Sequence, residues 1–208
     1  MPSDNEAAIG ALRADGSAKP EFKVLRAMAR FLKDAAPSLG GRKEEDVVVV
    51  LPHADQFSVR GNGTRATRRC VRTLAYSCRL PLRAVSEYGL ARDREAARLY
   101  LLPSPALLTE DAWRLLLERV EKGATLLVTG VLDRDDEWHV VPRSALFGVE
   151  AEIRAVSPTE LLSLDDTVIP CGYRGDDLQR IERAVVSDGN SRGAALLDAK
   201  HGKGRVLW

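Results

Sequence analysis

The sequence predicts an α/β protein in which a mostly parallel central sheet is covered by helices on both faces. Short apolar runs of strand length alternate with longer segments of helical periodicity, and the runs are bounded by charged residues, Gly or Pro. The chain of 208 residues is long enough to build one well-packed core. Because such alternation favours right-handed crossovers between parallel strands, we expect a three-layer sandwich.

The N-terminal part of the chain divides into a loose segment and a helix. Residues 1–20 lack apolar periodicity and contain two glycines and a proline, which predicts a disordered lead-in. Apolar side chains then recur at helical spacing up to a pair of glycines, so residues 21–41 are predicted to form a connector helix. Residues 42–208 are predicted to form the main domain.

The first part of the main domain has two predicted strands and one helix. Residues 46–51 include a continuous run of β-branched side chains ahead of Pro52, which is typical of a central parallel strand covered on both faces. After a Gly-Asn-Gly loop, residues 64–79 show the apolar side of a helix. Residues 82–88 are predicted to form a second strand.

The middle of the chain carries the clearest helix. A short helical segment is predicted at residues 93–97, and a third strand at 99–102 ends at a proline. Thr109 is the predicted N-cap of the next helix, whose first turn is acidic and whose buried stripe includes Trp113. A Lys-Gly pair ends this helix, and residues 125–129 are the predicted fourth strand.

The C-terminal part is predicted to contain short β-like pieces and a hairpin. Residues 140–169 mix short apolar runs with prolines. Residues 194–197 and 204–208 flank His-Gly-Lys at 201–203, and this pattern predicts a C-terminal β-hairpin. Since the chain starts in a loose segment and stops in mid-strand, we expect it to be a fragment of a longer protein.

The composition argues against several function classes. The 31 Lys and Arg residues nearly cancel the 30 Asp and Glu residues, so no global field recruits nucleic acid or an anionic membrane. No apolar run approaches the roughly 20 residues needed to cross a bilayer, and no signal peptide is evident, so we expect a soluble, cytoplasmic protein. Cys70, Cys78 and Cys171 lack metal-ligand spacing, which predicts reduced thiols and no metal site.

Four segments, in this order, resemble the trimerisation domain of family 42 β-galactosidases. These segments are Leu102–Pro105, Leu108–Trp113, Val120–Gly130 and His201–Val206. The resemblance implies a Rossmann- or flavodoxin-like fold, similar to that of class I glutamine amidotransferases. It also implies that the domain packs against copies of itself, while the catalytic carboxylates lie on a separate (β/α)8 barrel of which residues 21–41 would be the tail or connector.

The chemistry of class I glutamine amidotransferases can be tested on this sequence. Those enzymes place a cysteine on a tight turn after a strand and use a histidine from a His-x-Glu motif, because the thiolate needs a nearby base. Here the turn after the fourth strand reads Thr129-Gly130-Val131-Leu132, and the late histidine reads His201-Gly202-Lys203. Both parts of the relay are missing, so no catalytic residue and no cofactor is predicted.

Two candidate ligand sites lie at the start of the main domain. His53 follows the first strand beside Asp55, a pairing that can poise an imidazole, although a structural histidine is the favoured interpretation. Gly61 and Asn62 precede an arginine-rich helix whose backbone N–H groups can hold a phosphate. The favoured interpretation of that helix is a solvated or subunit-facing surface, because no phosphate-binding fingerprint accompanies the glycines.

A third candidate site follows the fourth strand, at the edge of the sheet where ligands of open α/β folds bind. Asp133 and Asp135 belong to an acidic loop that offers oxygen ligands to a hard cation, although an exposed loop is the favoured interpretation. Trp138 and His139 can contact a sugar. The favoured alternative places Trp138 in the core or in a subunit interface.

The main hypothesis from the sequence is a non-catalytic assembly domain of a β-galactosidase-like glycoside hydrolase, whose partners are other copies of itself and the catalytic barrel. One alternative is a small-molecule-binding α/β module using the crevice around His53, Gly61 and Asp133. The other is a small cysteine-dependent hydrolase or amidotransferase using Cys171 or Cys70.

Overall fold

The computed structural model describes most of the chain, in two compact units that comprise residues 1–43 and 44–208. The described residues are 10–13, 15–39, 46–57, 61–155, 161–164, 167–170, 182–186 and 196–208. Most of the first half of the predicted lead-in lies outside them, whereas Leu12 and Ala18 pair in an isolated antiparallel bridge.

The first unit contains one amphipathic helix, α1 (Glu21–Ala35), which continues as a 3-10 turn over Ala36–Leu39. The two glycines predicted to end it lie outside the described residues. No residue of α1 is buried, although large apolar side chains recur along one face. The helix was predicted from this periodicity, and its role as a connector stays a prediction.

The second unit is built on a six-stranded sheet with the order β2-β1-β3-β4-β10-β9, accompanied by two two-stranded sheets that pair β5 with β8 and β6 with β7. Every pairing in the six-stranded sheet is parallel except that of β9 with β10. The strands are β1 (Val47–Leu51), β2 (Leu82–Ser86), β3 (Leu99–Pro103), β4 (Thr125–Thr129), β5 (Ala151–Ala155), β6 (Leu161–Leu164), β7 (Thr167–Pro170), β8 (Glu182–Val186), β9 (Asp198–His201) and β10 (Gly204–Leu207).

Helices cover the two faces of this sheet, so the predicted three-layer α/β sandwich is confirmed. Helix α2 (Asn62–Arg72) packs Cys70 and Val71 on the face that carries Val47 and Val49. Helix α3 (Glu110–Glu121) packs on the opposite face, against a larger core. The side chains of that core include Val48, Val50, Leu102, Leu116, Val120, Leu126 and Val206. Because β1 contributes to both cores, all four of its valines are buried, as a central strand requires.

The clearest helix of the sequence begins where it was predicted to begin. The Thr109 hydroxyl accepts a hydrogen bond from the Ala112 N–H at 3.2 Å, which is the expected N-cap contact. Trp113 is buried, and its ring lies 5.7 Å from the guanidinium carbon of Arg143. The helix ends at Lys122 and Gly123, where Gly123 adopts a positive φ of 119°.

Three local predictions were wrong in type or position. Residues 93–97 are not helical, and a 3-10 helix instead occupies Glu87–Arg92. The helix predicted over residues 64–79 changes from α to π geometry at Thr73–Ser77. The first strand of the C-terminal hairpin is β9, four residues later than the predicted strand at 194–197.

Among the described segments, none of the helices combines the length and the apolar character that crossing a membrane requires.

Candidate functional site at the carboxyl edge of the sheet

The carboxyl ends of β1, β3 and β4 meet at one edge of the sheet because these strands are parallel. The chain order reverses around β1, since β2 lies on one side of it and β3 on the other. Open α/β sheets bind their ligands at such a switch point. His53, Ser104 and Gly130 follow the three strands, so these positions decide what chemistry the edge supports.

The turn after β4 is the position at which the sequence was tested for a nucleophile. Neighbouring atoms fill the space that a side chain at this turn would need. Gly130 has a positive φ of 79°, and a Cβ at this position would lie 2.9 Å from the Ser104 hydroxyl oxygen and 3.2 Å from the Ser104 Cα. Ser104 itself has a φ of 49°, and its N–H donates to the Thr129 hydroxyl at 3.1 Å. The Trp208 indole N–H donates to the Gly130 carbonyl at 2.8 Å. The turn therefore has no room for a side chain.

A cysteine introduced at this turn is expected to fail as a nucleophile. Gly130→Cys should destabilise the fold by about 1–3 kcal/mol, because it combines a left-handed backbone with an overlap against Ser104. Denaturant unfolding measures the loss, and glutamine hydrolysis should stay at the buffer rate. Adding Ser104→Gly should recover part of the stability, since it removes the closest atom. A Gly130→Cys protein that is as stable as the wild type and hydrolyses glutamine would contradict this account.

His53 is half-buried and takes part in a polar and aromatic cluster. Its Nδ1 lies 3.5 Å from the Ser86 hydroxyl, and its ring centroid lies 5.6 Å from that of Tyr88. The pKa of Tyr88 is raised, first by desolvation and then by the negative charges of Glu87 and Asp136. Asp136 belongs to the acidic loop after β4.

Two buried carboxylates hold the loops of this edge in place. Glu87 accepts hydrogen bonds from the Ala54 N–H at 2.5 Å and from the Thr109 N–H at 2.9 Å, which joins the end of β1 to the N-cap of α3. Asp55 is fully buried and accepts from the Gly63 N–H at 2.7 Å. Because these oxygens receive backbone donors, both carboxylates serve the fold.

At the candidate phosphate site at the start of α2, one backbone amide and the Asn62 side chain make contacts within the protein. Gly61 is the N-cap, with a φ of 60°, and the Asn62 side-chain oxygen accepts from an Arg65 guanidinium N–H at 3.0 Å. A Cβ at Gly63 would lie 2.4 Å from the Asp55 carboxylate, so the helix end closes on that carboxylate. The Gly63 N–H in the first turn, which would have to face a bound phosphate, therefore points to the Asp55 carboxylate.

The acidic loop after β4 is a hydrogen-bonded turn. Asp133 is buried and accepts from the Ser144 N–H at 2.7 Å. Asp135 accepts from the N–H groups of Glu137 at 2.9 Å and His139 at 2.8 Å, and its other oxygen lies 3.1 Å from His139 Nδ1. Desolvation opposes ionisation of Asp135, but these hydrogen bonds prevail and lower its pKa. Asp133 therefore binds the N–H group of Ser144 in the 3-10 helix Arg143–Phe147, and Asp135 binds N–H groups of its own loop.

Trp138 does not lie in the core, so of the two favoured placements only the one in a subunit interface stays a prediction. It is 46% exposed, has a φ of 71°, and its ring centroid lies 5.3 Å from the Arg134 guanidinium carbon. The structure thus brings Trp138 beside Arg134, His139 beside Asp135, and Tyr88 beside His53. Gly61 and Asn62 belong to the start of α2.

Two residues that fix the candidate site were missed by the sequence analysis. Glu87 is only 2% exposed, and Arg143 donates to the backbone carbonyls of Leu132, Arg134 and Leu108. Neither residue lies in a sequence motif, because most of their partners are distant in the sequence. Glu87 binds N–H groups 22 and 33 residues away. Arg143 binds carbonyl groups 9, 11 and 35 residues away.

The thiols and the potential metal ligands can be placed only in part. Cys70 is half-buried on the side of α2 that faces the sheet, where burial raises its pKa and so disfavours the thiolate. Cys78 is exposed, and Cys171 lies outside the described residues. Within the described ranges, no group of three His, Cys, Asp or Glu side chains is placed to hold a metal ion.

The fold and the filled turn define a Rossmann-like three-layer α/β domain that has no side chain at the strand-end nucleophile position. Solved structures with the same fold include two GH42 β-galactosidases. The enzyme from Bacillus circulans sp. alkalophilus is 16% identical, with a TM-score of 0.64 over 95% of this chain and 33% of its own. A catalytic mutant of Gan42B from G. stearothermophilus is 15% identical, with a TM-score of 0.59 over 95% and 32%.

A third similar structure is the exo-β-1,4-mannosidase Op5Man5 from Opitutaceae bacterium strain TAV5. It is 18% identical, with a TM-score of 0.56 over 97% of this chain and 36% of its own. This chain therefore spans about a third of the length of the solved structures that it matches. No family model and no curated protein matches the sequence. At these identities the comparisons establish the fold.

Proposed function

We propose that this chain is a non-catalytic assembly domain, of the trimerisation type, in a β-galactosidase-like glycoside hydrolase whose active site lies on a separate barrel domain. The observation that carries the proposal is the pattern of coverage. Nearly the whole chain aligns with structures named as β-galactosidases and a mannosidase, yet it accounts for only about a third of each.

The filled turn supports the non-catalytic part of the proposal. A Cβ at Gly130 would overlap Ser104, and the Ser104 hydroxyl has no hydrogen bond to a histidine within the part of the chain that the structure describes. Retaining glycosidases need two carboxyl groups about 5 Å apart, one of them free to attack the sugar. The buried carboxylates at this edge, Asp55, Glu87 and Asp133, are instead used by backbone N–H groups.

Helix α1 supports the presence of a further polypeptide surface. Its apolar stripe is at least half exposed, up to 69% for Phe31. The stripe consists of Val24, Leu25, Met28, Phe31 and Leu32. A helix of a folded protein normally buries such a stripe, and exposed apolar patches mark interaction surfaces. We infer that α1 packs against the catalytic barrel of the parent enzyme.

The proposal is tested with the purified full chain in two measurements. Sedimentation equilibrium should give three times the chain mass at high protein concentration, and a p-nitrophenyl β-galactoside should be hydrolysed no faster than in buffer. Enzyme-like turnover of that substrate would refute the non-catalytic role. A single-chain mass at every concentration would refute self-assembly through this domain.

A further inference from the structure

Helix α2 carries a strongly basic surface on the side that faces away from the sheet. Arg65, Arg68, Arg69 and Arg72 are spaced by three and four residues, so they share one face of the helix, and together with Thr73 they line a groove of about 430 Å³. Cys70 and Val71 lie on the other side, against the sheet. We call these four arginines the basic face.

Three of the four arginines of the basic face have no acidic partner among the described residues. Arg68, Arg69 and Arg72 form no ion pair with any described residue. Like charges at these spacings destabilise a helix. By contrast, Arg114 on the exposed side of α3 lies between Asp111 at 3.3 Å and Glu118 at 2.5 Å. The excess of positive charge is therefore local to α2. An anionic surface bound there would reduce the repulsion among its arginines.

A complementary surface exists elsewhere on the same chain. Residues 135–137, which we call the acidic turn, carry three carboxylates. Asp135 fixes the backbone of the turn through its hydrogen bonds to the N–H groups of Glu137 and His139. Asp136 and Glu137 are exposed, and the Glu137 side chain keeps 77% of its accessible surface.

The two surfaces belong to different parts of the second unit. Helix α2 packs on the face of Val47 and Val49. The acidic turn is tied to the layer of α3 through Arg143, which donates to the Arg134 carbonyl and forms an ion pair with Glu110 in the first turn of that helix. Among the described residues, no ion pair joins Arg68, Arg69 or Arg72 of the basic face to Asp136 or Glu137 of the acidic turn.

We propose that the basic face of one copy binds the acidic turn of the next copy in a head-to-tail ring. A closed ring of odd number needs two different, mutually complementary patches on each subunit, and these two surfaces meet that requirement. The inference rests on the proposed assembly function and names the surfaces that make the contact. Charge complementarity of this kind sets orientation and partner choice.

The test uses charge reversal in the full chain, read by sedimentation equilibrium. Arg68→Glu with Arg72→Glu should reduce the assembly to single chains, and Asp136→Arg with Glu137→Arg should do the same. All four substitutions together should restore the assembly, because the complementary charges are exchanged rather than removed. The matched control, Arg92→Glu with Arg94→Glu, reverses two exposed arginines elsewhere and should leave the mass unchanged. The wild-type assembly should also weaken between about 0.05 M and about 1 M salt.

The outcomes separate this inference from the proposed function. If the wild type assembles and both double variants assemble equally well, the head-to-tail contact is wrong, but the assembly function still stands. Single chains at every concentration and salt would overturn both. A labelled single-stranded oligonucleotide bound by the wild type but not by the Arg68 and Arg72 variant, with assembly intact, would assign the basic face to a nucleic acid and overturn the inference.

Discussion

Replacing Gly204 by alanine is expected to destabilise the second unit severely. A Cβ at this position would lie 2.0 Å from the Ala124 carbonyl oxygen and 2.4 Å from the Val120 carbonyl oxygen, distances that no side-chain movement can relieve. Gly204 begins β10, which must enter the sheet beside β4, so the overlap separates two strands of the sheet. We expect a loss of more than about 3 kcal/mol in the free energy of unfolding, measured by chemical denaturation.

Gly89→Ala provides the control for this prediction. An added Cβ there meets only the Val85 side chain at 3.5 Å, an ordinary contact, and the backbone does not have a positive φ. Its stability should change by no more than about 1 kcal/mol, because alanine also restricts the unfolded chain. If Gly204→Ala unfolds at the same denaturant concentration as Gly89→Ala, the close packing of β10 on the end of α3 is incorrect.

The parts of the fold that the sequence predicted well are those fixed by local pattern and burial. The valine run of β1 and the apolar run of β4 are buried strands at the predicted positions, and Thr109 caps α3 as expected. The C-terminal hairpin was displaced because the apolar run at 194–197 was taken as its first strand. Pairing is instead set by the tight turn at Gly202, whose φ is 57°, and this places His201 opposite Gly204.

Contacts between distant residues account for the predictions that failed. The stretch 93–97 is charged and was expected to form a helix, but Arg119 donates to the Asp93 carbonyl and Arg83 pairs with the Asp93 carboxylate. These tertiary contacts hold it in an irregular conformation. The candidate site shows the same limit, since the sequence placed His53 and the acidic loop at one edge but gave no signal for Glu87, which links that edge to α3.

Arg143 connects three segments at this edge, and Arg143→Met is expected to cost about 2–4 kcal/mol of stability. Its guanidinium is almost completely buried, donates to the Leu132 carbonyl at 3.2 Å and to the Arg134 and Leu108 carbonyls at 2.8 Å, and pairs with Glu110. Methionine fills a similar volume but donates no hydrogen bond, so buried carbonyl groups lose their partners. Denaturant unfolding measures the loss.

The size of this effect can be judged against Arg114→Met, which removes an exposed arginine paired with Asp111 and Glu118. Exposed pairs of this kind contribute at most about 1 kcal/mol, so this variant should unfold almost as the wild type does. Because Arg143 also anchors the acidic turn, its loss should weaken self-association in conditions where the protein is still folded, whereas Arg114→Met should not. Equal stability of the two variants would show that Arg143 does not hold the edge together, and the acidic turn would then lack the fixed position that a specific contact requires.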